Sequence, residues 1–190
     1  FWINMRDMNI WTTYNTPTLT YHESIPGHVW QGEYTFKLPL ARSLLAFNAS
    51  SEGWALYCES IGKELGVFTD PYQYYGRLSD EMLRAMRLVV DTGLHAKGWT
   101  RERAIQYMLD NSSMAESDVI AEVERYIVTP GQALGYKIGQ LRISAMRARA
   151  EAALGTRFDI KAFHSQILRD GAVPLDVLDA KIDRWLAAQR

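Results

Sequence analysis

Apolar residues recur at intervals of three and four along most of the chain, the spacing that places side chains on one face of an α-helix. The clearest stripes are Met82, Met86, Val89 and Gly93; Leu134, Ile138, Leu141 and Ala145; and Leu175, Leu178, Ile182 and Trp185. Strand-like alternation is nearly absent after residue 15, and only residues 1–14 are compatible with an edge strand or an extended lead-in. The pattern predicts an all-α domain of about six to eight helices.

A proline that follows a capping residue marks three predicted helix starts, at Thr16-Pro17, Asp70-Pro71 and Thr129-Pro130. The segments Ser113–Glu116 and Thr129–Gln132 also fit the capping box, in which two side chains satisfy each other's free backbone donors. No internal repeat, low-complexity tract or linker divides the sequence. Residues 1–190 are therefore expected to form one domain with a substantial core.

The composition is that of a folded protein, with 47% hydrophobic residues and a net charge of −1. This balance gives no reason to expect nucleic acid as a partner, and no apolar run approaches the roughly 18 residues of a membrane span. Cys58 is the only cysteine, which excludes an intrachain disulfide and a cysteine-based metal cluster. The chain starts at Phe1 without a signal-like segment, so we expect a processed chain or a fragment with any targeting signal upstream.

The segment HESIPGH places two histidines, His22 and His28, on either side of a Pro-Gly pair. Zinc peptidases usually carry H-E-x-x-H, whose histidines are four apart on one helix face. In a regular helix, the spacing found here would leave the two side chains about 120° apart. Pro26 and Gly27 are able to break or bulge the helix, so that His28 turns back toward His22. The alternative is a chance pairing in a helical protein.

A catalytic zinc ion takes three protein ligands and keeps one position open. Glu52, at the start of the next predicted helix, is the candidate third ligand. Glu59 lies on the same face, where it is able to orient a ligand histidine. Glu23, next to His22, is the candidate general base. The alternative is again coincidence, because surface helices are rich in glutamate and short motifs give false positives.

Hydrolysis of an amide develops negative charge on the carbonyl oxygen, which a nearby donor stabilises. Tyr136 is one candidate donor, on a polar stripe with Gln132 and Gln140 opposite the predicted core face; the alternative is a tyrosine packed at a helix interface. His95, which follows Asp91 by one helical turn, is the other candidate. Its alternatives are to bind substrate or to cap its helix.

Four segments occur in order along the chain: HESIPGH, EGWALYCE, VVDTGLHAKGWT and TPGQALGYKIGQLRI. Together they closely resemble the bacterial family known as domain of unknown function 885, whose members carry an HExxPGH motif. That family is similar to the glutamate-zincin peptidases, which include helical oligopeptidases and dipeptidyl carboxypeptidases. The resemblance covers essentially the whole chain, from Asn4 to the C-terminal RWLAAQR.

The resemblance implies a zincin-like helical catalytic domain that is the C-terminal part of a larger peptidase fold. Carried over residue by residue, it implies His22, His28 and Glu52 as zinc ligands and Glu23 as general base. Without the N-terminal helical half, the chain is expected to expose an apolar patch and to form a homodimer. A bacterial source also allows an extracytoplasmic location if an upstream signal has been removed.

The function implied by the resemblance is zinc-dependent hydrolysis of a peptide substrate by a metal-bound water, with Tyr136 or His95 stabilising the oxyanion. One alternative is hydrolysis of another amide or ester at the same site. The other is a helical module that binds a peptide without cleaving it.

Overall fold

The computed structural model describes residues 11–45 and 47–189, which form ten α-helices and one 3-10 turn without any strand. The helices are α1 (Thr16–Glu23), α2 (His28–Thr35), α3 (Leu40–Leu44), α4 (Asn48–Ile61), α5 (Pro71–Ala96), α6 (Arg101–Asn111), α7 (Glu116–Val128), α8 (Leu134–Leu154), α9 (Ile160–Leu168) and α10 (Leu175–Ala187). The all-α prediction is confirmed. The extended lead-in proposed for residues 1–14 falls largely outside the described residues.

Only one of the predicted helix starts is capped as expected. Asp70 caps α5, where its side chain accepts a hydrogen bond from the Tyr72 backbone N–H at 2.8 Å. The predicted start at Thr129 is wrong, because the Thr129 hydroxyl donates to the Arg125 carbonyl and ends α7. The predicted capping box at Ser113 is also wrong, since Ala115 precedes the first turn of α7.

Two apolar cores lie on either side of the helix pair α4–α8. The first core joins α4 and α8 to α9 and α10, and its largest members are Trp54, Tyr57, Ile143, Met146, Phe163, Leu178 and Ile182. The second core joins α5, α6 and α7, with Met86, Val90, Met108, Val123 and Tyr126 at its centre. This arrangement places α8 between the two cores, and α4 and α5 both pack against it.

Helices α4 and α8 approach each other closely at two glycines. A Cβ atom at Gly53 would overlap the Cα of Gly139, and one at Gly139 would overlap the carbonyl oxygen of Ala49. Both obstacles are backbone atoms, which cannot rotate away as a flexible side chain can. The crossing therefore requires glycine at both positions.

The buried face of α8 differs from the predicted one. Ile138 and Leu141, which belong to the predicted apolar stripe, are exposed. The face toward the protein interior instead carries Gly135, Tyr136, Gly139, Gln140 and Ile143. The close approach at Gly139 turns this mixed face inward, because the face with the larger aliphatic residues cannot come as near to α4.

Helices α2 and α3 contain no buried residue among those the structure describes. Phe36, Leu40 and Leu44 are each more than 70% exposed, at 84%, 74% and 74%. The apolar patch expected where a missing half would pack stays a prediction. Within the described part of the chain, every helix is too short or too polar to cross a lipid bilayer.

His164, on α9, lies in a part-buried polar contact beside the first core. Its Nε2 atom accepts a hydrogen bond from the Tyr57 hydroxyl at 2.9 Å, and its ring packs edge-on against Trp54. Burial, and then the positive charge of Arg147, lower the pKa of His164 to about 4. The imidazole is therefore neutral at physiological pH and acts as an acceptor within the core.

Replacement of Gly139 by alanine is expected to lower the free energy of unfolding by about 1–3 kcal/mol, because the added methyl group overlaps the α4 backbone. Gly32→Ala is the matched control, since a Cβ there meets only the Phe36 ring at an ordinary 3.4 Å. The control should be neutral or stabilising by up to about 1 kcal/mol, the usual gain in helix propensity. Urea unfolding of both variants gives the comparison, and equal stabilities would contradict the close crossing.

The free energy of unfolding is expected to fall as the pH drops from 6.5, the ordinary pKa of histidine, toward the folded value of about 4 for His164. In that range the unfolded chain binds a proton that the folded chain excludes, so acid favours unfolding, by no more than about 3 kcal/mol in total. His164→Gln keeps an acceptor for Tyr57 but cannot titrate. With a chelator present, denaturation curves across this range should show a weaker pH dependence for the variant, and identical slopes would exclude this role.

Candidate functional site

The break between α1 and α2 brings the two histidines of HESIPGH together. Helix α1 ends one residue after His22, and α2 begins at His28. The carbonyl oxygen of Pro26 accepts hydrogen bonds from Trp54 Nε1 at 3.0 Å and from Cys58 Sγ at 3.3 Å, which fixes the connecting turn to α4. A Cβ at Gly27 would overlap the His22 carbonyl oxygen, so the turn closes only with glycine there. The predicted helix break is confirmed.

His22, His28 and Glu52 form one cluster. The Oε2 atom of Glu52 lies 3.4 Å from His22 Nε2 and 3.2 Å from His28 Nε2. The two imidazole rings are perpendicular, with centroids 4.9 Å apart. The His22 side chain is only 4% exposed, whereas those of His28 and Glu52 are 25% and 19% exposed. The cluster is thus closed on the α1 side and open to solvent on the α2 side.

Glu59 contacts the ring nitrogen of His22 that lies away from Glu52, as the sequence predicted. The His22 Nδ1 atom lies 2.8 Å from Glu59 Oε1, which also accepts a hydrogen bond from Arg84 Nη2 at 3.3 Å. The Thr18 hydroxyl donates to the other carboxylate oxygen at 3.1 Å. Because a carboxylate only accepts, Glu59 favours a proton on Nδ1, while Nε2 lies against the second carboxylate, Glu52.

His28 has a neutral partner, the Gln31 amide, at the corresponding ring nitrogen. Its Nδ1 atom lies 3.2 Å from Gln31 Oε1, and the same oxygen accepts a hydrogen bond from the Ser51 hydroxyl at 3.1 Å. An amide oxygen cannot donate, so Gln31 favours a proton on Nδ1 of His28. The Nε2 atom lies 3.2 Å from the same Glu52 oxygen.

Two imidazole nitrogens and one carboxylate oxygen thus converge, an arrangement that favours a proton or a metal ion between them. Burial lowers the pKa of His22, but Glu52 and Glu59 outweigh this and raise it above the ordinary value. Burial likewise raises the pKa of Glu52, yet hydrogen bonds from His22 and His28 bring it well below the ordinary range. Without an ion, the cluster attracts protons to the two rings.

The donor set fits zinc. Two imidazoles and one carboxylate are ligands that zinc uses in hydrolytic sites, at about 2.0–2.2 Å, so tetrahedral donors lie about 3.3 Å from each other. The two separations at Glu52 Oε2 are 3.2 and 3.4 Å, and all three candidate ligand atoms lie within 4.8 Å of one another. The residues present are therefore able to hold such an ion.

Tyr136 is buried beside this cluster. Its ring is nearly parallel to that of His22, at an interplanar angle of 17° and a centroid distance of 6.2 Å. The Arg87 guanidinium lies 4.5 Å from the centroid of the Tyr136 ring. Gln132 Nε2 donates to the Tyr136 hydroxyl at 3.3 Å. The predicted polar stripe of α8 therefore faces the cluster, although it belongs to the buried face of the helix.

Glu23 ends α1 next to His22, and its half-buried carboxylate has no hydrogen bond or ion pair within residues 11–45 and 47–189. His95 lies elsewhere, about 12 Å further along α5 than Arg87. Its Nε2 atom contacts the Tyr126 carbonyl oxygen at 2.9 Å. The predicted partner of His95, Asp91, instead accepts hydrogen bonds from the Gly131 backbone N–H. The structure does not bring His95 to the cluster.

Apart from Glu59, sequence reasoning missed the residues that contact the candidate ligands or their partners. Gln31 was within reach of prediction, because it lies one turn after His28 on the same helix. Ser51, Thr18 and Arg84 were not, since their contacts join different helices. No local pattern marks such residues.

Comparison with known proteins identifies relatives over nearly the whole chain. The sequence profile described as "Bacterial protein of unknown function (DUF885)" matches residues 1–182. The crystal structure of a "putative lipoprotein" from Colwellia psychrerythraea is 51% identical over 98% of this chain, with a TM-score of 0.94. A "putative lipoprotein of unknown function" from Shewanella oneidensis is 29% identical over 89%, with a TM-score of 0.83.

This chain covers 33% and 31% of those two structures, so it spans about a third of their length. A search of curated proteins gave no match. Because the family profile extends over nearly all of the sequence, the chain belongs to DUF885, a family of bacterial proteins of unknown function.

Proposed function

We propose that the chain carries a zinc-dependent centre for peptide hydrolysis. His22, His28 and Glu52 hold the ion, Glu23 is the general base, and Tyr136 is the donor to the carbonyl oxygen. The observation that carries the proposal is the convergence of both Nε2 atoms on one oxygen of Glu52, at 3.4 and 3.2 Å. A structural zinc site is more often closed by four protein ligands, whereas a hydrolytic site leaves a position open.

Glu23 has the properties that a general base requires. When bound, zinc polarises a carbonyl group and acidifies water. In this proposal Glu23, which follows the ligand His22 in the chain, takes the proton and delivers it to the leaving amine. Since the Glu23 carboxylate has no partner among the described residues, both of its oxygens are available for that transfer.

Tyr136 suits the stabilisation of charge on the carbonyl oxygen. A phenol donates one proton, and its hydroxyl receives a hydrogen bond from Gln132, so its own proton remains available for a substrate oxygen. We assign this role to Tyr136 rather than to His95, whose ring nitrogen is engaged with the Tyr126 carbonyl. The stacked ring of His22 keeps the phenol close to the ligands.

The complete substrate channel extends beyond these 190 residues in our proposal. The two solved relatives are about three times as long, and the cluster is open on the α2 side. We propose that an N-terminal helical half, or a second copy of the chain, supplies the other wall. The lipoprotein descriptions of those relatives support an extracytoplasmic location for this protein.

Purified protein is expected to bind one zinc ion per chain, and His22→Ala should abolish this binding because it removes the most deeply buried ligand. His95→Ala is the control, since its side chain contacts the Tyr126 carbonyl away from the cluster. Competition against a chromophoric chelator measures the dissociation constants. Loss of binding in both variants, or in neither, would contradict the ligand assignment.

Glu23→Gln is expected to retain zinc and the fold but to lower peptide hydrolysis by about 10²–10⁴-fold, the usual contribution of a general base. The amide preserves the shape of the side chain and loses its proton acceptor. A mixture of unstructured peptides, analysed by mass spectrometry, identifies cleavable substrates for the rate measurement in the longest available form of the protein. The exposed Glu33→Gln on α2 is the matched control, and equal rates for the two variants would exclude Glu23 as the base.

A further inference from the structure

The ring of Tyr136 packs against residues of other helices. On α8 itself, two of its buried neighbours are Gly135 and Gly139, which have no side chain to support a phenol. The ring instead lies parallel to that of His22, on α1, and beneath the guanidinium of Arg87, on α5. The position of the candidate donor therefore depends on contacts between helices.

Arg87 is a buried cation whose place is fixed from α7. Its Nε atom donates to the Tyr126 hydroxyl at 3.1 Å, and its Nε and Nη2 atoms donate to Glu122 Oε2 at 3.2 and 2.8 Å. These bonds hold the guanidinium with its Cζ atom 4.5 Å from the centroid of the Tyr136 ring. A cation at this distance is attracted to the face of an aromatic ring. The second core thus presents a fixed positive charge to the candidate site.

A positive charge over a phenol ring acts on the hydroxyl as well as on the ring. It stabilises negative charge that develops on the phenol oxygen, or on an oxygen that accepts a hydrogen bond from it. Such an interaction is stronger where water is excluded, because the local dielectric constant is low. Tyr136 and Arg87 are only 8% and 6% exposed. The phenol is therefore expected to be a better donor with Arg87 present than without it.

We propose that Arg87 is a positioning residue for Tyr136: its guanidinium holds the phenol ring beside His22 and strengthens the hydroxyl as a hydrogen-bond donor. This inference rests on the proposed function, in which Tyr136 donates to the carbonyl oxygen of the substrate. Arg87 acts through the ring and does not have to touch the substrate. The bonds to Glu122 then serve the site as well as the second core, because they set where the charge lies.

A spectroscopic test needs neither metal nor substrate. The chain has ten tyrosines, so labelling with tyrosine that carries ¹³C at Cζ, the carbon bonded to the hydroxyl, gives a small set of signals. Tyr136→Phe identifies the one from Tyr136. Arg87→Met and Arg87→Lys are a matched pair, since the two new side chains are similar in volume and differ in charge. The Tyr136 signal should move in Arg87→Met and stay closer to the parent in Arg87→Lys.

Arg125→Met is the control for the loss of a cation beside Glu122. The Arg125 Nη2 atom donates to the same Glu122 oxygen at 3.2 Å, and its Cζ atom lies 5.6 Å from the centroid of the Tyr126 ring. This variant disturbs the same ion pairs but leaves the Arg87 guanidinium over Tyr136. It should move the signal of Tyr126 and leave that of Tyr136 unchanged.

A double-mutant cycle gives the second measurement, on a peptide that the longest available form of the protein cleaves. Arg87→Met is expected to lower kcat by about 2–30-fold with little change in KM, which corresponds to the usual strength of a contact between a cation and a ring. Arg87→Lys should restore part of the rate. In a Tyr136→Phe background, Arg87→Met should have no further effect on kcat, because the hydroxyl on which the charge acts is absent.

The outcomes separate this inference from the proposed function. Equal displacement of the Tyr136 signal in Arg87→Met and Arg87→Lys would overturn the role of the charge, and so would losses of kcat that simply multiply in the double variant. If the parent protein cleaves no peptide, the proposed function fails, while the spectra still decide whether the charge of Arg87 acts on Tyr136. A charge-dependent signal together with a non-additive cycle supports both.

Discussion

The contact between α4 and α8 at Gly53 and Gly139 is the constraint on which the rest of the structure depends. It brings two helix backbones together where a single methyl group would separate them. Glu52 is adjacent to one of these glycines, and Tyr136 lies one turn before the other. The same two helices supply much of the first apolar core, so the packing of that core and the placement of the candidate site depend on one contact.

The site itself is organised by hydrogen-bond chemistry rather than by packing alone. Glu59 and Gln31 contact the Nδ1 atoms of the two imidazoles, and both rings have Nε2 toward the same carboxylate. The network extends outward through Arg84 to Asp80, whose pKa is raised to about 6 because burial outweighs the attraction of Arg84. Buried polar groups in this region thus form a connected hydrogen-bond network around the cluster of His22, His28 and Glu52.

Sequence reasoning predicted the helical class and the residues of the cluster, because both leave local signals. Helical spacing marks the class, and the Pro-Gly pair between His22 and His28 marks the helix break. The inner face of α8 was predicted wrongly, since backbone proximity at Gly139 depends on a partner helix that no local pattern reveals. For the same reason, His95 was predicted as a candidate donor, although α5 places it at the Tyr126 carbonyl, away from the cluster.

Gly27 shows that part of the HExxPGH motif is required by the fold, independently of any chemistry at the other motif residues. A side chain at this position would overlap backbone carbonyl oxygens, and the Pro26 carbonyl is tied to Trp54 and Cys58 in the core. These requirements are steric and would persist in a relative that had lost its chemistry. The Pro-Gly pair is therefore a requirement of the fold, whereas changes at His22, Glu23 or His28 would mark a relative without the zinc site that we propose.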